Sequence, residues 1–233
     1  MPARCLLYYI TDRTAFGADE RTRQNRLLEK ITEATRANVD FIQLREKDLP
    51  IRALESLARE AVAVIRKLRA ENRDLRTALL INSRTDVALA VEADGVHLRS
   101  TDITPQEVRQ IWKSVANECG AGAPARANSP REPQIAVSCH SPAEVAQAAA
   151  SAATFAVFAP VFEKKDAPGT TPTGLAQLEQ ACRNKIAVVA LGGITLSNAH
   201  SCLAAGAAGI AAIRLFQENN IADIAHALRS LSR

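Results

Sequence analysis

The stretch Phe41–Ile81, FIQLREKDLPIRALESLAREAVAVIRKLRAENRDLRTALLI, decides the fold. It opens and closes on short apolar runs, Phe41–Leu44 and Ala78–Ile81, both of strand length. Between them Leu54, Leu57, Ala58, Ala61, Val62, Ile65 and Leu68 follow an i, i+3, i+4, i+7 rhythm, the spacing of a helix with one buried face. Outward from this unit the alternation continues. Apolar runs at Leu6–Ile10, Gly95–Leu98, Ile135–Ser138, Phe155–Ala159, Ile186–Leu191 and Gly209–Ile213 bring the candidate strands to eight. Several are nearly continuous apolar runs, as expected where helices cover both faces of a parallel sheet. Eight such units in 233 residues predict an α/β fold, a single (β/α)8 TIM barrel spanning residues 1–233, with a doubly wound open sheet as the competing fold.

Composition narrows the class. With 47% hydrophobic and 23% charged residues and a mean hydropathy of −0.07, the chain has the balance of a globular protein with a sizeable core. The long uncharged stretches Val145–Phe162 and Ile186–Ile213 are alanine-rich and interrupted by Gly, Pro and polar residues, so they read as buried core and argue against a membrane protein. Lys and Arg number 29 against 25 Asp and Glu, and they are scattered rather than gathered into a basic run, which argues against a nucleic-acid partner. The short apolar run after Met1 is no signal-peptide core, so a cytoplasmic location is expected. Five cysteines without Cys-x-x-Cys spacing suggest neither a disulfide framework nor a zinc site. The compositional break at 117–133, rich in Gly, Ala, Pro, Asn and Ser, reads as a flexible loop entering the fifth strand, on the face opposite a barrel's reactive mouth.

A barrel's reactive groups belong at the C-terminal ends of its strands. Those ends carry Gln43, Arg45 and Lys47 after the second strand, Asn82 and Ser83 after the third, and His97 and Asp102 around the fourth. Ser138 and His140 follow the fifth, Glu163, Lys164 and Lys165 the sixth, Gly192 and Gly193 the seventh, and Arg214 the eighth. Cations, amides and glycines on one rim favour an anionic small molecule.

In order along the chain, Tyr9–Asp12 (Tyr-Ile-Thr-Asp), Gln43–Lys47 (Gln-Leu-Arg-Glu-Lys), Asp94–Leu98 (Asp-Gly-Val-His-Leu), Ser138–His140, Pro160–Phe162 and Gly192–Ile194 resemble the thiamine phosphate synthase and TenI superfamily of (β/α)8 barrels. The resemblance covers nearly the whole chain. It implies thiamine biosynthesis, a phosphate ester as partner molecule (a thiazole phosphate), and is compatible with a homodimer. The synthase branch joins the thiazole to hydroxymethylpyrimidine diphosphate and expels pyrophosphate with magnesium. The TenI branch aromatises a carboxythiazole phosphate by moving a proton, with no cofactor.

Two departures from the synthase pattern bear on that choice. Ser83 stands where the family has an aspartate, leaving Asp102 alone as a candidate metal ligand, and a serine hydroxyl is a poor substitute for a carboxylate on a hard cation. After Pro160 the chain lacks the family's paired threonines, although Lys164 or Lys165 could still meet a phosphate. The sequence therefore puts proton transfer first: His140 as the acid/base, since histidine is suited to proton transfer near neutral pH. Gly192 and Gly193 would hold the phosphate, Arg214, where the family has a small serine, would either add a bidentate contact or fill the site, and Arg45 or Lys47 would hold a carboxylate, with Gln43, Asn82 and Ser138 completing the binding surface. The alternatives are a true synthase that uses magnesium on Asp102, and a non-catalytic sensor of a phosphate ligand. His97, with apolar neighbours on both sides, reads as a hydrogen-bonded core residue rather than a catalyst.

Overall fold

In a computed structural model, which describes residues 4–17, 19–118, 132–163 and 171–231, the chain folds as a closed parallel barrel of eight strands with helices around it. The strands are β1 (Leu6–Ile10), β2 (Phe41–Leu44), β3 (Ala78–Asn82), β4 (Gly95–Leu98), β5 (Gln134–Cys139), β6 (Phe155–Phe158), β7 (Ala187–Leu191) and β8 (Gly209–Ala212). Each pairs with the next, and β8 closes on β1 through Leu6 opposite Gly209 and Tyr9 opposite Ala212. The competing open sheet is thereby excluded. The principal helices are α1 (Glu20–Arg36), α2 (Ile51–Glu71), α3 (Thr85–Ala90), α4 (Pro105–Glu118), α5 (Pro142–Ala150), α6 (Gly174–Cys182), α7 (Leu196–Ala204), α8 (Arg214–Gln217) and α9 (Ile221–Ser230). None of the described helices is long and apolar enough to cross a membrane.

The period-two alternation of the strands divides the apolar residues into two layers. One set, including Leu7, Ile42, Leu79, Val96 and Ile210, packs outward against the helices, where α2 presents the face read from its spacing. The other, including Tyr8, Leu80, Ala136, Val157 and Val189, fills the barrel. Inside, the rings of Tyr8, Phe41 and Phe155 meet, with centroids 4.5 Å apart for Phe41 and Phe155, and small residues such as Ala78, Ala136 and Ala211 on other strands leave them room.

Helix starts follow local chemistry. Asp19 accepts from the Thr22 amide ahead of α1, Ser141 accepts from the Glu144 amide ahead of α5, and Thr195 and Asn198 form a reciprocal capping box on α7. Strand bounds differ from the expected ones by about a residue: β3 gains Asn82, β5 extends to Cys139, and β6 stops at Phe158 before the cis Ala159–Pro160 bond. α4 runs to Glu118, and most of the expected loop at 117–133 lies outside the described residues.

Candidate functional site

The upper interior of the barrel is polar on one side. Gln43, Asn82, His97 and Ser138 come from four consecutive strands, β2 to β5, and alternation turns all four inward. Gln43 is nearly fully buried and donates through Nε2 to Asn82 Oδ1 at 2.7 Å, and Asn82 Nδ2 reaches Ser83 Oγ at 3.4 Å. His97, 3% exposed, has Nδ1 2.8 Å from the Tyr8 hydroxyl and Nε2 2.7 Å from Ser138 Oγ. Burial pushes this imidazole down to about 3; the Arg45 guanidinium adds to the shift and the Asp102 carboxylate opposes it. His97 is thus a neutral, hydrogen-bonded core residue.

Arg45 is half-buried at the end of β2, and its amide donates to Thr11 Oγ1 at 3.0 Å; Lys47 is exposed two residues on. Behind them lies a network that sequence reasoning missed. Buried Glu46 accepts from the Thr11 hydroxyl, from the Arg13 amide at 3.0 Å and from Arg13 Nη1 at 3.3 Å. Arg13 also forks onto Asp48 and Glu20. Burial raises the Glu46 carboxyl above its usual range against the opposing pull of Thr11 and Arg13. The signal available in the sequence was parity: Leu44 and Glu46 share the outward side of β2, opposite to Gln43 and Arg45. Gln217 similarly ties Tyr9 to the Asp12 backbone, accepting from the Tyr9 hydroxyl at 3.0 Å and donating to the Asp12 carbonyl at 2.6 Å.

Ser83 has a left-handed backbone with φ of 55°, and its amide donates to the His97 carbonyl at 2.8 Å. Its hydroxyl faces Asp102. That carboxylate accepts from the Arg99 amide at 2.8 Å and from the Arg99 guanidinium at 3.0 and 3.2 Å. Burial pushes Asp102 up, but the Arg99 amide, the Ser83 hydroxyl and the Arg99 guanidinium outweigh it and hold the carboxyl below its usual range. Three or more carboxylates, imidazoles or thiols able to share a metal are not found together among the described residues.

His140, exposed just beyond β5, has its Nδ1 2.6 Å from the Ala159 carbonyl, and its amide donates to Glu144 Oε2 at 2.8 Å. A carbonyl can only accept, so Nδ1 carries a hydrogen, which leaves Nε2 as the nitrogen able to take up and return a proton. Gly192 and Gly193, after β7, have φ of 104° and 64°. A Cβ on Gly192 would lie 2.7 Å from Pro160 Cα, and one on Gly193 would lie 2.3 Å from the Glu163 carbonyl oxygen. Glycine is therefore required at both positions on two grounds. No hydrogen bond from either amide is found among the described residues, while the Gly193 carbonyl accepts from Asn198 Nδ2 at 3.0 Å. Arg214 is the exposed first residue of the short α8, and Lys164 and Lys165 lie outside the described residues.

The model of a family described as thiamine monophosphate synthase matches residues 7–117 and 115–216. The chain belongs to this family. A thiamine-phosphate synthase from Roseiflexus castenholzii (strain DSM 13941 / HLO8) is 34% identical over 212 residues, covering 90% of this chain and 80% of the relative. A protein of Aquifex aeolicus (strain VF5), provisionally named thiamine-phosphate synthase 2, is 35% identical over 213 residues, covering 91% and 97%. Among solved structures, thiamine phosphate pyrophosphorylase from Pyrococcus furiosus superposes with a TM-score of 0.71 at 27% identity, covering 97% of this chain and 95% of that one. This family member is an enzyme of thiamine biosynthesis with a TIM-barrel fold, and the names of its relatives favour the synthase reaction, which the sequence reading put second, over proton transfer.

Proposed function

We propose that the protein binds a thiazole phosphate at the C-terminal mouth of its barrel and joins it to hydroxymethylpyrimidine diphosphate, forming thiamine phosphate and releasing pyrophosphate. The observation that carries this reading is membership of the family along nearly the whole chain, with relatives about as long as this chain named for that product. The mouth supports it. The amides of Gly192 and Gly193, without a partner among the described residues, suit a phosphate at one side, and Arg45 and Lys47 suit the diphosphate at the other. Gln43, Asn82 and Ser138 offer the amide and hydroxyl groups that would orient the rings between them.

The family resemblance implies magnesium for this reaction, and the donor set here does not fit a cation held by the protein. Among the described residues Asp102 is the one carboxylate facing Ser83, where a second would be needed, and Arg99 already forks onto it. The charge on the departing pyrophosphate then falls to cations, among the described residues Arg45 and Lys47.

That misfit, together with His140 Nε2, which has no hydrogen-bond partner among the described residues, favours proton transfer on a carboxythiazole phosphate as a second reading. Purified protein supplied with both coupling substrates, with and without magnesium, and separately with the carboxythiazole phosphate tautomer, decides between them. Thiamine phosphate formed at many turnovers establishes coupling. Aromatisation of the carboxythiazole without coupling establishes proton transfer, and replacing His140 with Gln then lowers turnover by about 100-fold. Tight binding with neither product would leave a sensor.

A further inference from the structure

Three side chains from three strands form one hydrogen-bonded line through the barrel: Tyr8 on β1, His97 on β4 and Ser138 on β5. A neutral imidazole has one N–H and one lone pair, so the line has two ways to arrange its hydrogens. With the hydrogen on Nδ1, the Tyr8 hydroxyl must accept it. The phenol's own hydrogen is then buried with no acceptor among the described residues, since Tyr8 is fully buried and His97 is its partner. With the hydrogen on Nε2, Tyr8 donates to Nδ1, Nε2 donates to Ser138 Oγ, and both buried groups are satisfied. The second arrangement is the favoured one. It leaves a single hydrogen over, that of the Ser138 hydroxyl. Ser138 is half-buried at the upper end of its strand, so that hydrogen is turned to the mouth.

We propose that the Tyr8–His97–Ser138 line fixes the Ser138 hydroxyl as a hydrogen-bond donor into the mouth, so that the ligand atom seated against β5 is an acceptor, an oxygen or an unprotonated ring nitrogen. Ser138 is then the residue that touches the ligand, and Tyr8 and His97 are positioning residues. The inference rests on the reading that a ligand occupies the mouth, but not on which reaction follows. The neutrality that it needs agrees with the surroundings of His97: burial and Arg45 disfavour the imidazolium, and Asp102, the one charge opposing them, is itself engaged by Arg99.

The test begins on the full, unaltered chain labelled with 15N in histidine, with the His97 signals assigned by their loss in His97→Gln. Long-range 1H–15N spectra should show a hydrogen on Nε2 and a bare Nδ1, unchanged between pH 5 and 8. A hydrogen on Nδ1, or a ring that titrates in that interval, overturns the proposal, and does so whether or not thiazole phosphate binds. Titration with thiazole phosphate supplies the second arm. Tyr8→Phe removes the donor that holds the hydrogen on Nε2, so the imidazole no longer favours one tautomer and the Ser138 hydroxyl is no longer fixed as a donor to the mouth; the Kd should rise roughly 3- to 10-fold. Adding Ser138→Ala to Tyr8→Phe should change it little further. Effects of the two substitutions that simply add would mean that they act separately, and would sink the relay.

Discussion

A methyl group is enough to test Gly193. Its φ of 64° is costly for any residue with a Cβ, and that Cβ would press into the Glu163 carbonyl. Gly193→Ala should therefore raise the Kd for thiazole phosphate at least about 10-fold, measured by calorimetry. Gly174 is the matched control. Its φ is 78° but a Cβ there meets nothing among the described residues within 4 Å, so Gly174→Ala isolates the backbone cost and should leave binding unchanged. Equal losses at both positions would show that Gly193 matters only for folding. Ser83 allows the opposite experiment, a gain. Aspartate tolerates the left-handed backbone found there, at φ of 55°. Ser83→Asp would face Asp102 with a second carboxylate, and coupling in millimolar magnesium should rise by about 10-fold or more, the order expected for neutralising a leaving pyrophosphate. An unchanged rate would mean that Arg99 keeps the cation away from Asp102.

The helix between the second and third strands shows how far apolar spacing reaches. Leu57 and Ile65 are almost fully buried against the barrel wall, while Glu60 on the same helix is exposed. Leu57→Ala should cost about 2–5 kcal/mol in urea unfolding, and Glu60→Ala no more than about 0.5 kcal/mol. Similar costs for the two would mean that the helix does not pack as its rhythm dictates. The same local signals made all eight strands legible, because a strand buried on both faces advertises itself in a few consecutive apolar residues. The polar rim was legible for a similar reason: once the strands are placed, Gln43, Asn82 and Ser138 fall at their upper ends. The pairings that tie β1 to the rest of the barrel were not. Tyr8 lies 89 residues from His97, and Tyr9 lies 208 from Gln217, so nothing in the neighbouring sequence marks either pair. The bonds exist because barrel closure brings distant strands into register, and Tyr8 reads in sequence as one more apolar core residue.

The buried imidazole gives the molecule an acid weakness with a definite sign. His97 is pushed down to about 3 in the folded chain, from 6.5 for an ordinary histidine, so the unfolded chain takes up a proton first. Stability is fully present above about pH 6.5 and falls as the pH drops toward 3, by up to about 1.4 kcal/mol per pH unit. The lowered carboxyls of Asp102, Glu20, Asp48 and Asp86 act further down, as the pH falls below the ordinary carboxylate range, and raised Glu46 opposes them. Urea unfolding at pH 7 and pH 5 should therefore show a loss that shrinks by about 2 kcal/mol in His97→Gln. An unaltered loss would mean that His97 binds its proton equally well folded and unfolded. The seam between β1 and β8 has a consequence of another kind, during synthesis. Leu6 waits for Gly209, and at roughly 5–20 residues per second that wait lasts roughly 10–40 s on the ribosome. Until β8 emerges, the growing sheet has two raw margins able to recruit other chains, and the nascent protein needs its chaperones most in the seconds just before Gly209–Ala212 arrive.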